Sequence, residues 1–129
     1  MPVYNTLANP PALYPGDQAL AFNAEQPASG VLSQEFAIGP PAGSGPPVIN
    51  VEVSFAAAPG AFEFDIYESD TDVLLDYAAI PVASVINAVD ANNVARTDLS
   101  PFTGTFIAIY CKTQNANAVN ATVKITRRV

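Results

Sequence analysis

Histidine and tryptophan are absent from this chain, cysteine and methionine occur once each, and lysine and arginine together number five. Each absence removes a class of chemistry. Histidine is the side chain best suited to carry protons near neutral pH, so without it no Ser–His or Cys–His nucleophile pair can form within one chain. Zinc, whose usual ligands are His and Cys, is excluded on the same ground. One cysteine permits no intrachain disulfide. Cys111 ends the apolar run Phe106–Cys111 with no base before it, which reads as an inert buried thiol. A glycosidase needs only two acids, but there is no Trp to stack a sugar, and a chain of 129 residues leaves little room for a cleft.

Cations are scarce enough to matter as a group. A net charge of −7 argues against nucleic acid as a partner, because phosphate neutralisation requires clustered Lys and Arg. It disfavours an anionic membrane surface for the same reason. The apolar runs fall far short of the roughly 20 residues that span a bilayer. Met1-Pro2-Val3-Tyr4-Asn5 has neither the basic start nor the apolar stretch of a secretory signal, so secretion by that route is not expected. No cofactor is called for.

What is present is segregated. Residues 1–95 hold eleven of the twelve carboxylates and no cation, and all five cations (Arg96, Lys112, Lys124, Arg127, Arg128) follow. Nine of the twelve prolines lie in residues 1–47. Asn9-Pro10-Pro11-Ala12-Leu13-Tyr14-Pro15-Gly16 cannot be helix or central strand, since its prolines lack donors and restrict the residues before them. The expected organisation is an extended arm over residues 1–29 and a β domain over residues 30–129. Tyr4, Leu7, Leu13 and Tyr14 need an apolar surface, and the arm is expected to dock them on a neighbouring molecule, the alternatives being that it packs back on its own domain or is disordered in solution.

The remainder reads as strands. A first one is expected at Val31–Ile38, before the Pro/Gly-rich loop 39–47. Ile49, Val51, Val53 and Phe55 then alternate with Asn50, Glu52 and Ser54. Phe62, Phe64 and Ile66 alternate with Glu63, Asp65 and Tyr67, and across Ala58-Pro59-Gly60 the two segments read as a hairpin. Further strands are expected at 73–80, 85–89, 94–99, 106–111 and 119–126, that at 106–111 central and covered on both faces. No segment has a 3.6-residue period. The fold class is all-β, an antiparallel sandwich of jelly-roll type.

Six carboxylates crowd residues 63–76 (Glu63, Asp65, Glu68, Asp70, Asp72, Asp76). The spacing fits no calcium loop, and the favoured reading is a solvated acidic face or a patch meeting a basic partner. Arg127 and Arg128 at the chain end, with Lys124, could reach such a patch on an adjacent copy or partner. Half the residues are apolar and 13% are charged. With few lysines on its edges, such a chain favours burial of a sheet edge between copies.

The Pro-rich arm Asn9–Gly16, together with the strands at 48–55, 62–69 and 119–126, resembles the head decoration, or cement, proteins of tailed bacteriophages. The resemblance implies a non-enzymatic virion protein on the outside of the capsid, present in host cytoplasm during assembly. Its partners would be the major capsid protein and neighbouring copies of itself, as dimer or trimer. Tyr4, Leu7, Leu13 and Tyr14 would anchor the arm, and deleting residues 2–16 would spare the fold while weakening attachment. The competing reading is a tail-fibre, baseplate or carbohydrate-binding sandwich module that uses exposed tyrosines such as Tyr67 and Tyr77.

Overall fold

Alternation of apolar and polar residues produces the strands, and their buried faces meet in one main core, with a second small cluster around Leu32 and Ala108. The computed structural model describes residues 3–4, 11–38, 47–69, 78–79, 85–99, 102 and 105–128, with side chains described for all but 3, 4, 78 and 79. Among the described residues twelve strand segments run in chain order: β1 (Val3–Tyr4), β2 (Ala12–Leu13), β3 (Gln18–Glu25), β4 (Val31–Leu32), β5 (Phe36–Ile38), β6 (Ile49–Phe55), β7 (Glu63–Ser69), β8 (Ala78–Ala79), β9 (Val85–Ile86), β10 (Val94–Leu99), β11 (Phe106–Thr113) and β12 (Ala121–Arg127). The described residues contain no helix, and so none long and apolar enough to cross a membrane.

The strands form two mostly antiparallel sheets. The smaller has the order β10-β6-β12-β3. In the larger, β11 lies between β7 on one side and β4 and β5, end to end, on the other; β7 carries β8 and β9 on its far edge. The short β1 and β2 add in parallel to β4 and β5. Ile49, Val51, Val53, Val123 and Ile125 of the smaller sheet share a core with Phe64, Ile66, Ile107 and Ile109 of the larger. Phe22, Phe55, Phe62 and Phe64 join the layers through ring contacts with centroids 4.7–6.4 Å apart.

The pairing is nested. β3 pairs with β12, β4 and β5 with β11, β6 with β10, and β7 with β8 and β9. The chain is thus folded back on itself about its middle, each earlier strand finding a later one.

This arrangement corrects several expectations. The segments at 49–55 and 62–69 do not form a hairpin: β6 and β7 lie in different sheets, joined by an arch through Ala56–Ala61. Both present apolar faces to the same core, and alternation alone cannot distinguish an arch from a hairpin. The expected strand at 31–38 is broken at Ser33–Glu35, where Ser33 donates its hydroxyl to Gln34 O and accepts from Ile109 N. Most of the strand expected at 73–80 lies outside the described residues.

The arm is corrected most. Gln18–Glu25, assigned to it, is a full strand in the smaller sheet. Pro15-Gly16 is a turn, with Gly16 at φ 89 and the Asp17 amide bonded to Tyr14 O, the geometry of a type II turn. Leu13 is 3% exposed and belongs to the core. A deletion reaching residue 16 would therefore strip a core side chain. Leu13→Ala is expected to lower stability by about 2–4 kcal/mol through lost burial and a cavity, measurable as a shift in urea midpoint. A change within about 0.5 kcal/mol would mean that Leu13 is not a core residue.

Candidate functional site

The outward face of β7 and β11 gathers the densest set of chemically interesting side chains in the described structure. Alternation that sends Phe64 and Ile66 inwards sends Glu63, Asp65 and Tyr67 outwards, and on β11 it does the same for Phe106, Ala108, Tyr110 and Lys112. Register then sets the neighbours. Asp65 stands opposite Tyr110 on one side and Val85 on the other, and Tyr67 opposite Ala108. The Tyr67 and Tyr110 rings lie 4.9 Å apart at 37°, packed around the fully buried Leu32 and Ala108.

Asp65 was read from sequence as a solvent-facing residue, and the structure overturns that. It is 8% exposed because bulky side chains flank it across both strand pairs. Burial, followed by a hydrogen bond to Glu63 and repulsion from that carboxylate, pushes the Asp65 carboxyl up to about 6, against a weaker opposing pull from Lys112. Asp65 Oδ1 has no hydrogen-bond partner. Lys112 sits 3.5 Å from Glu63. Burial also raises the Tyr67 hydroxyl, with smaller contributions from Tyr110 and Asp65. The result is a carboxyl pair that holds a proton in mildly acidic solution, beside two tyrosines. Such a surface offers donors, acceptors and ring edges for recognition. It places no nucleophile beside a base.

Cys111 faces the core, 1% exposed, and burial pushes its thiol up to about 11. No group of three or more His, Cys, Asp or Glu side chains among the described residues is placed to hold a metal. Asp70, Asp72 and Asp76 of the acidic stretch lie outside those residues.

The cations are occupied within the chain. Arg96 and Lys124 share Glu52 at 2.7 and 3.9 Å, Lys112 meets Glu63, and Arg128 lies 3.5 Å from Asp98. Arg127, expected to contact a partner, is 2% exposed and donates from Nη1 to Leu13 O at 2.7 Å. Of the expected anchor residues, Leu13 is in the core and Tyr14 is 52% exposed. Val3–Tyr4 pairs with β4, and Leu7 lies outside the described residues.

One end of the molecule is a platform of loops. Residues 26–30, 56–62, 87–93 and 114–120 carry a single charge, Asp90, whose carboxylate accepts from the Asn92 and Val94 amides. Cross-loop bonds tie it together: Ala116 N to Ala61 O, Asn117 N to Pro59 O, Asn117 Nδ2 to Ala58 O and Gln26 Nε2 to Asn120 Oδ1. Buried Asn115 clasps Val119 through both its amide atoms, holding Ala118 at φ 52. Sequence reasoning missed this clasp. Its signal was an Asn inside a short loop, a residue that bonds nearby backbone.

Comparison with protein-family models, with curated proteins and with solved structures finds no match.

Asp65 gives a pH test. Its folded-state value lies above the ordinary 3.8, so the native state binds a proton that the unfolded chain has already released. That stabilisation is full below about pH 4 and is lost as pH rises through about 6. Asp65→Asn cannot ionise and escapes the loss. It should be more stable than the unmodified protein at pH 8, by on the order of 1–3 kcal/mol, with the gap closing near pH 4. Thermal unfolding across that range checks it, and a pH-independent difference would reject the assignment.

Proposed function

We propose that this chain is a non-enzymatic virion structural protein that binds the outer surface of an assembled tailed-phage capsid and stabilises it. The observation that carries this reading is the nesting of the strand pairs. Leaving aside the two-residue β1 and β2, and counting β4 with β5 and β8 with β9 as single interrupted strands, the described residues give the two sheets the orders 6-3-8-1 and 5-4-7-2. We read that order as supporting a jelly-roll-like arrangement, an architecture of viral capsid and lectin domains and of cupins. Chemistry that relies on histidine as a general base or metal ligand is closed to this sequence, which has none.

Internal charge matching also supports a structural role. The cations are bonded inside the chain, while Asp17, Glu25 and Asp90 are exposed with no ion pair among the described residues, and a basic or neutral partner lattice suits them better than an anionic one. The docking elements in this reading are residues 1–10 with Tyr4 and Leu7, the exposed Tyr14, and the nearly uncharged loop platform. The major capsid protein is the partner, and neighbouring copies of this chain are a second one. Binding only the assembled shell stabilises it by mass action, and many weak attachments on one lattice reinforce each other.

A second reading, an adhesion or carbohydrate-binding module of a tail fibre or baseplate, draws on the paired Tyr67 and Tyr110 beside Asp65. Copy number separates the two. When a source lysate is sedimented and this protein quantified across the gradient, it should travel with DNA-filled particles at a copy number comparable to the major shell protein. A few copies per particle would transfer the assignment to a fibre or vertex. Recovery only at the top of the gradient would end the virion reading.

A further inference from the structure

The two edges of the smaller sheet are built differently. At one edge β10 carries Arg96 and Asp98, both exposed and both in ion pairs. Charges of this kind discourage a foreign strand from adding to an edge. At the other edge β3 is terminal and, among the described residues, bonded on one side only, to β12. From Gln18 to Ala24 it contains no charge and no proline. Its outward-facing Leu20 is 43% exposed, one of three large apolar side chains exposed among the described residues, with Tyr14 and Val85. Main-chain donors and acceptors with no strand partner among the described residues therefore coincide with an apolar side chain that water covers at a cost.

We infer that β3 is a dimerisation edge, pairing antiparallel with β3 of a second copy of this chain about a two-fold axis beside Leu20. A second copy fits better than an unrelated strand. A two-fold contact uses the same patch twice, so it requires a patch that does not repel itself. Gln18–Ala24 meets that requirement, since no like charges face each other across the axis. The two Leu20 side chains would meet on the outer face and cover one another. Pairing with β12 is regular through Gln18, Ala19 and Leu20, and the register shifts come only beyond Leu20. The straight part of the edge is thus the part that carries Leu20. The bulges beyond it twist the edge away and limit the contact, so the dimer is weak, with a dissociation constant on the order of micromolar. The pairing joins two four-stranded sheets into one of eight strands.

This inference rests on the self-association half of the proposed function and not on the capsid half, so purified protein tests it without particles. Leu20→Glu is the informative variant. Leu20 stands opposite Lys124 on the neighbouring strand, so a carboxylate there gains a partner within the chain but faces its own copy across the axis. Sedimentation equilibrium from micromolar to submillimolar concentration should show the unmodified chain passing from 13.5 kDa to twice that mass. L20E should weaken the association about tenfold or more. An equimolar mixture of L20E and L20K should associate again. Amide exchange in Gln18–Glu25 of the unmodified chain should slow as concentration rises, a readout independent of whether the variants fold. A protein monomeric throughout, a dimer indifferent to L20E, a closed assembly with an odd number of subunits, or β3 exchange unmoved by concentration would each overturn the inference.

Discussion

The last strand holds the smaller sheet together. Every other side chain of Ala121–Arg127 is buried, and the strand bonds to β6 on one edge and β3 on the other. Its end is fastened further. The Arg127 guanidinium bonds Leu13 O, while the Gly16 amide donates to Arg127 O and the Arg127 amide to Asp17 O. This clamp draws the Pro15-Gly16 turn, and with it Leu13, onto the domain. Burying an arginine costs several kcal/mol unless its donors are met. Here a backbone carbonyl meets one of them, so the N-terminal segment and the C-terminal strand depend on each other.

That dependence gives the outside of the molecule its character. Cations that could have faced a partner are matched to Glu52, Glu63, Asp98 or a backbone carbonyl. Exposed ion pairs of this sort contribute at most about 1 kcal/mol each, so their effect is mainly on how the surface looks to another molecule. What remains is acidic over β7 and nearly uncharged over the loop platform. The faces therefore differ in the partners they suit.

Elements with strict alternation were legible in the sequence. Ile49–Phe55, Glu63–Ser69, Val94–Leu99 and Ala121–Arg127 all fall where the pattern put them, within a residue or two. Partner choice was not legible: a period of two states which face is buried and nothing about which strand lies alongside, and so β6 and β7 were read as a hairpin. β3 was lost among the prolines, because Gln-Ala-Leu-Ala-Phe-Asn-Ala-Glu is rich in alanine and its strand identity comes from β12. Arg127 could have been read correctly. Extending the buried series Ala121, Val123, Ile125 by one step places it inwards, but a doubled arginine at a chain end draws the eye to solvent. The burial of Asp65 needed the register of three strands, which one sequence does not display.

The nested pairing has a consequence for how the chain comes to be folded. Its innermost partners, such as Tyr67 and Ala79, are near in sequence and can meet cheaply. Its outermost, such as Gln18 and Thr126, are separated by roughly a hundred residues, and closing so long a loop directly is slow. If the middle zips first, each pair shortens the loop that the next must close, so assembly proceeds outwards and β3 waits for β12. On the ribosome that wait lasts until β12 has emerged. Throughout it β3, uncharged from Gln18 to Ala24, is synthesised and unpaired, open on both edges, at the stage when crowded nascent chains are most able to capture one another.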